Sequence, residues 1–376
     1  MRQTSGFIST YSADTFGVCS ALFELGGMVV MHDASGCNST YTTHDEPRWY
    51  DMDSMVYISG LTEIEAIMGD DAKLIADITE AAKELSPKFI AIAGTPIPAM
   101  TGFDFDAASA VITAETGIPA FGFKTTGMKS YIYGAGEAFL RIADGMVNRD
   151  ITRSEKPSMN ILGLTPLDFS INGSAESVIS HFAEKGYEII STWAMGCTLD
   201  DMEKAGAAHM NHVVSETGLL AAERLKELFG TPYSVGVPVG GADIDITGLY
   251  PDGNPEKNRS AVFTSTDGDV DVLVIGEGVS SKSLASYLNM RTGRTVASLA
   301  ATDLSEDEIT ETINGYKNLK TVIADPLFRP LCKNFGDKKG LGFIALPHEA
   351  FSGRLYRKDI PDLIKNADEI LKSIRK

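Results

Sequence analysis

The chain has 376 residues with 43% hydrophobic and 22% charged side chains, so it is globular, long enough for two or three domains, and able to bury a large core. A formal net charge of −18 argues against nucleic acid or an anionic membrane as a partner, because so acidic a surface repels phosphate and no Lys/Arg run makes a local exception. Solubility accounts for most of that acidity, with a docking face for a basic partner protein as the sharper alternative.

The opening stretch "MRQTSGFISTYSADTFG" has no apolar core of a signal peptide, and no segment approaches the ~20 apolar residues of a membrane span. A cytoplasmic chain with reduced thiols is therefore expected. Cys19, Cys37, Cys197 and Cys332 lie far apart and form no CxxC pair. Each is left as core filler, nucleophile or metal ligand.

In chain order, the first block carries strand-like runs at "MVVMHD", "MVYISG", "FIAIAG" and "IPAFGF". Helical segments lie between them, at "DTFGVCSALFELGG" and at "TEIEAIMGDDAKLIADITEAAKELSP". The second places Ile64, Ile67, Leu74, Ile75 and Ile78 at helical spacing and ends before Pro87. The polar stretch "NRDITRSEKPS" (148–158) reads as a linker. A second block follows, with strands at "MNILGLT", "YEIISTW", "HMNHVVS" and "PYSVGVPVG". A polar insert, "YPDGNPEKNRSAVFTSTDGD", leads to a third block with strands at "VDVLVIGEG", "TVASLAA", "LKTVIAD" and "LGFIALP" and a charged C-terminal helix. Apolar strands alternating with helices predict parallel sheets covered on both faces. The expected fold is α/β: three Rossmann-like domains with mainly parallel sheets, at 1–150, 151–250 and 251–376.

In such units ligands sit beyond the carboxyl ends of the strands. That rule selects His32–Cys37, Gly94–Met100, Trp193–Cys197, Ser215–Thr217, Gly276–Ser280 and His348–Ser352. "IGEGVSSKS" opens a helix after a strand and could cradle an anion. It is not GxGxxG, and the chain has no Walker A pattern, GxSxG elbow or HExxH, so no nucleotide is expected on it. Cys37 sits in a Gly-Cys turn beyond a buried strand, where it is either a thiolate facing a cleft or a small core residue. The loop that holds it also carries Asp33, His44, Asp45, Glu46 and Arg48. The patterns around Cys19 and Cys332 read as packing, and Cys197 at a strand end stays open. Most of the histidines read as structural, whereas His348, after "FIALP", is placed to face an interdomain cleft.

"FGVCSALFELGGMVVMHDASGC" resembles the start of nitrogenase component 1 chains, where a helix, a strand and an HG-x-x-GC turn deliver a cluster-binding cysteine. "SGLTEIEAIMGDDAKLIADITEA", "KFIAIAGTPIPAMTGFDFDA", "NHVVSETGLLAAERLKELFGTPY", "DVLVIGEG" and "HEAFSGRLY" continue the resemblance in order over nearly the whole chain. The family comprises nitrogenases, cofactor-assembly scaffolds, dark protochlorophyllide reductases and a nickel-tetrapyrrole reductase. The resemblance implies three Rossmann-like domains and an interface iron–sulfur cluster, [4Fe–4S] in type, at Cys37. It also implies that a separate ATP-dependent iron–sulfur reductase delivers low-potential electrons to a substrate or cofactor in the interdomain cleft.

Carried over residue by residue, the resemblance shows gaps. Ala13 and Asp14 stand where one family cysteine belongs, and Pro96 where another does. His348 falls on a cofactor-binding histidine, while the cysteine that partners it falls near Ser215. Cys197 and Gly276 are further cofactor-side candidates at strand ends, although Cys197 matches no family ligand. A [4Fe–4S] cluster normally takes four thiolates, which Cys37 alone does not supply. A dimer pairing two copies of Cys37, helped by Cys19, Asp14 or His32/Asp33, is one solution. A second component-1-like chain, in a heterodimer, is another, and loss of the cluster is the third. His44 and Arg48 are candidates for proton delivery or anion anchoring. The alternative function is a scaffold or carrier for a metallocofactor or tetrapyrrole. A periplasmic-type small-molecule binder is disfavoured by the missing signal peptide.

Overall fold

The computed structural model describes residues 12–34, 36, 46–251, 263–264, 269–333 and 341–375. Among them, thirteen strands form three sheets. The first contains β1 (Met28–Met31), β2 (Met55–Ile58), β3 (Ile90–Ala93) and β4 (Ala120–Phe123). The second contains β5 (Ser158–Leu164), β6 (Glu188–Ala194), β7 (Met210–Val213) and β8 (Tyr233–Val235). The third contains β9 (Phe263–Thr264), β10 (Val272–Gly276), β11 (Val296–Ala300), β12 (Thr321–Ala324) and β13 (Gly342–Ala345).

The strand orders are β2-β1-β3-β4, β6-β5-β7-β8 and β13-β12-β10-β11-β9. With its parallel strands counted from β10, the third sheet has the same 2-1-3-4 order as the other two, and β9 adds an antiparallel edge on β11. The topological switch points therefore fall at β1/β3, β5/β7 and β10/β12.

Strands buried on both faces explain the continuous apolar runs in the sequence. Val29 and Met31 of β1 enter a core shared by all three sheets, while Met28 and Val30 enter a separate cluster on the other face. In β10 the same alternation sends Val272 and Val274 to the shared core and Leu273 and Ile275 to a third cluster. The two-residue period of a strand does this sorting.

The long helix expected across 62–87 is two helices, Glu63–Met68 and Ala72–Leu85. Gly69 takes a left-handed conformation (φ 66°) and ends the first. Leu74 and Ile78 are buried, but Ile64 and Ile67 are 74% and 73% exposed. The C-terminal helix Leu363–Arg375 does not stay on the third sheet's unit alone. It packs on the Val239–Gly241 turn and the Ser174–Glu184 helix of the second unit as well as on the Gly278–Thr292 helix. No helix among the described residues is long and apolar enough to cross a membrane.

One close approach sets the frame of the N-terminal half. Helices Asp14–Leu22 and Tyr131–Gly145 pack through Gly17 and Gly134. A Cβ on Gly134 would lie 1.8 Å from the Asp14 carbonyl oxygen, and one on Gly17 would lie 2.1 Å from that of Tyr131. The backbones touch because neither residue has a side chain.

Candidate functional site

Two concavities sit at switch points. The first, a crevice of about 300 Å³ at the ends of β1 and β3, is lined by Ala13, Thr15, Asp33, Thr95, Pro96 and Gly127, among others. The positions where the family's missing cysteines belong, Ala13 and Pro96, thus face one crevice. Cys37 and His44 lie outside the described residues. No thiol lines the crevice among the described residues.

Of the neighbours proposed to complete a cluster, Asp33 lines the crevice, while Asp14 and His32 have other partners. Asp14 is fully buried, and its carboxylate accepts backbone N–H bonds from Thr15 (2.9 Å), Thr126 (3.0 Å) and Gly127 (2.7 Å). Burial raises its pKa above the usual carboxylate range in spite of those bonds. His32 Nδ1 is 2.9 Å from Ser59 Oγ, and burial lowers the ring to about 4.

Cys19 lies inside the Asp14–Leu22 helix with no exposed surface. Burial, reinforced by Glu46, holds its thiol far above the ordinary range, and it packs in the shared core. Arg48, the candidate for proton delivery or anion anchoring, is held by its neighbours. Its guanidinium is 4% exposed and donates to both Glu46 oxygens (2.7 and 3.0 Å), to Glu24 Oε1 (2.8 Å) and to the Ser20 carbonyl (2.7 Å). It also lies over the Phe23 ring at 4.7 Å. An arginine so engaged is a clasp that ties residues 46–48 to the first helix, and it does not release protons.

The second concavity is a cavity of about 50 Å³ at the switch point of the third sheet. Gly276 and Glu277 border it from the end of β10, Asp325 from the end of β12, and His348 from the end of β13. Asp168, on the short helix Pro166–Phe169 that follows β5, closes it from the second unit. Of the predicted residues, His348 and Gly276 are brought together here.

Ser215 lies behind the cavity rather than on it. It is fully buried, and its hydroxyl accepts bonds from the Thr217 amide (3.2 Å) and hydroxyl (3.0 Å). Cys197 lies elsewhere. Its Sγ donates to the Thr198 carbonyl at 3.3 Å, and burial pushes its thiol up to about 12. It packs in the shared core and is not among the residues that line the cavity.

The polar groups at the cavity form a chain. Tyr131 Oη–H donates to Asp168 Oδ1, and Thr165 Oγ1–H donates to Asp168 Oδ2 at 2.9 Å. His348 Nε2 lies 3.5 Å from Asp168 Oδ1, within ion-pair reach but outside hydrogen-bonding geometry. Both ring nitrogens of His348 are buried and have no hydrogen-bond partner among the described residues. Burial alone would lower the pKa of this imidazole. Asp168, then Asp325 and Glu277, outweigh that effect and raise it.

Behind them, Glu277 caps the helix Gly278–Thr292. It accepts the amides of Val279 (3.0 Å), Ser280 (2.7 Å) and Glu216 (2.9 Å). Burial, with Asp168 and Glu216 close by, raises its pKa well above the carboxylate range. Tyr250 Oη–H donates to Glu216 at 3.0 Å, and the buried Lys282 Nζ reaches Tyr250 Oη at 3.0 Å and Glu216 at 3.8 Å. Gly278 makes room for this arrangement, since a Cβ there would lie 1.8 Å from Glu216 Oε1.

Asp168, Glu277 and Asp325 do not stand out in the sequence. The available signal is positional: Asp325 directly follows "VIA" and Glu277 follows "VLVIG", each the first acidic residue past a buried strand. The anion cradle considered at "IGEGVSSKS" is already filled by the carboxylate of Glu277.

Three like-wound sheets of mainly parallel strands, two of them with a concavity at the switch point, define a triple Rossmann-like α/β protein. The sequence model of the nitrogenase component 1 type oxidoreductase family matches residues 14–247, and the chain belongs to that family. A light-independent protochlorophyllide reductase subunit from Dinoroseobacter shibae is 30% identical over 136 residues, 34% of this chain and 25% of that one. Its counterpart from Leptolyngbya boryana is 36% identical over 89 residues, 23% of this chain and 18% of its own. The nitrogenase iron-molybdenum cofactor biosynthesis protein NifE of Clostridium pasteurianum is 28% identical over 187 residues, 47% of this chain and 38% of that one. The aligned segments thus span well under half of each of these relatives. Among solved structures, nitrogenase Cp1 at pH 6.5 matches with a TM-score of 0.58 at 17% identity, over 100% of this chain and 74% of that chain. That likeness establishes the fold.

Proposed function

We propose that the chain is the catalytic, component-1-like subunit of a nitrogenase-like reductase. In this reading a separate ATP-dependent iron–sulfur protein supplies low-potential electrons, and a substrate or cofactor is reduced in the cavity under His348. The chain itself binds no nucleotide, works as a dimer with a second copy or a related chain, and is cytoplasmic. The units divide near residues 150 and 250. The observation that carries the reading is the cavity itself: a buried, charged, histidine-bearing site at a switch point, in a chain of this family.

The described residues do not fit an iron–sulfur cluster on their own. The crevice at β1/β3 has no thiol among them, and no group of three or more His, Cys, Asp or Glu among them is arranged to hold a metal. We therefore assign the cluster to Cys37 together with thiolates of a second chain. Iron content and visible absorbance of anaerobically purified protein test this. Iron lost in Cys37→Ser but retained in Cys332→Ser supports it. A colourless, iron-free wild type, or equal iron in the two variants, sinks it.

A scaffold or carrier for a metallocofactor or tetrapyrrole is the second reading. It is favoured by Ser215, whose buried hydroxyl takes the place of a soft ligand and is already bonded to Thr217. Cofactor retained without turnover, in the presence of the reductase partner, would select it.

A further inference from the structure

We propose that the cavity under His348 is a proton-donating site for an uncharged, proton-accepting ligand, with His348 as donor and Asp168 as the residue that positions it. The proposal rests on reading the cavity as the substrate site, and it assigns that substrate a chemical class.

The geometry excludes an anion. No Lys or Arg lines the cavity among the described residues. The backbone amides that commonly bind anions are occupied by the chain's own carboxylates. Glu277 takes those of Val279 and Ser280, and Asp325 takes those of Leu327 (2.9 Å) and His348 (2.9 Å). An incoming anion would find no free donor of this kind and three buried carboxyl groups facing it.

The same geometry makes His348 a donor. Among the described residues, four titratable groups face it from neighbouring elements: Asp168 after β5, Glu277 after β10, Asp325 after β12, and Tyr131, whose ring centroid is 6.5 Å away. On its own helix the adjacent Glu349 is bound to Arg357 at 2.7 Å and is already neutralised. Asp168 cannot turn away, because Tyr131 and Thr165 hold its two oxygens. An imidazole held beside a fixed carboxylate favours its protonated form, as the raised pKa of His348 agrees. Nε2 faces Asp168, which leaves Nδ1–H as the donor. Buried polar atoms without partners need an explanation, and a ligand or water in the cavity supplies one. At about 50 Å³ the cavity has room for about three or four waters or a ligand of that size.

The step balances simply. The Nδ1–H bond of the imidazolium breaks, the proton passes to the acceptor atom of the ligand, and neutral imidazole remains. The imidazolium is restored when neutral His348 takes up a proton from water.

Histidine-labelled NMR on the full chain, with His348→Gln to assign the signal, tests this without iron, partner or turnover, so its failure is separable from failure of the reductase reading. The wild-type resonance of His348 should titrate above the ordinary value of 6.5. Asp168→Asn should lower that midpoint by about one to three units, and Glu277→Gln by less. A wild-type midpoint at or below 6.5 overturns the proposal even if neither variant folds. Formamide and formate, equal in size, probe the ligand class: formamide should shift the His348 signal and formate should not. An equal or larger response to formate, or no response to either, overturns the assignment of an uncharged ligand.

Discussion

The crevice at β1/β3 and the cavity at β10/β12 occupy equivalent places in two sheets of the same winding, yet their contents differ. The cavity is complete within the chain: Asp168, Glu277, Asp325 and His348 converge on it, backed by Glu216, Tyr250 and Lys282. The crevice offers Asp33 but no thiol among the described residues, and the nearby Asp14 carboxylate is spent on backbone amides. One topology thus places a cluster of buried charged groups at one switch point and a crevice without thiols among the described residues at another. Position at a switch point says where a ligand can sit; the partners of each polar group say whether it is available to one.

The comparison can be broken by separate damage to each side. The largest effect should come from Glu216→Ala, which strands the buried Lys282 and should cost about 3–5 kcal/mol of stability in urea unfolding. The His348 resonance should shift as well. Arg48→Ala removes the ion pairs to Glu46 and Glu24 and should cost nearly as much, about 3 kcal/mol, but should leave the His348 titration where it was. If Arg48→Ala moves that titration, the two sites are not independent. Gly134→Ala, which drives a methyl against the Asp14 carbonyl, should cost about 1–3 kcal/mol and loosen the crevice first, as read by hydrogen exchange in residues 12–22.

A separate effect is on pH dependence. Glu277 is raised in the folded state, so the native chain holds a proton that the unfolded chain has released. Its contribution is therefore fully present below the ordinary glutamate value and is lost as pH rises through the raised one, by up to about 1.4 kcal/mol per pH unit. Asp14 and Asp325 are raised and act with the same sign. His32 and His212, both lowered to about 4, act oppositely: their contribution is present above 6.5 and is lost as pH falls through 4. Glu277→Gln should flatten the fall on the alkaline side and leave the acid side unchanged.

Much of the fold is legible in the sequence because its strands are buried on both faces. "MVVM", "FIAIA" and "VLVIG" are apolar without interruption, and no competing element explains runs so short between helices. The break at Gly69 is hidden, because Ile64 and Ile67 keep a helical period although the core does not use them. The site is half legible. His348 and Gly276 follow strands and can be placed by that rule alone. Arg48 and Cys19 are harder to read, because residue type does not reveal whether a partner is already in hand. Arg48 meets Glu46 and Glu24 only after residues 46–48 fold back on the first helix. Asp168 and Asp325, 157 positions apart by subtraction of their numbers, meet only through the packing of the second unit on the third. No local pattern announces that meeting.

The cavity lies within one chain, and we propose that the cluster edge is shared by two. Native mass spectrometry of the anaerobically purified protein tests it most directly. The account predicts that iron and sulfide travel with a dimer, homo- or heteromeric, and that the monomer released from it carries neither. A monomer retaining a full cluster would contradict it.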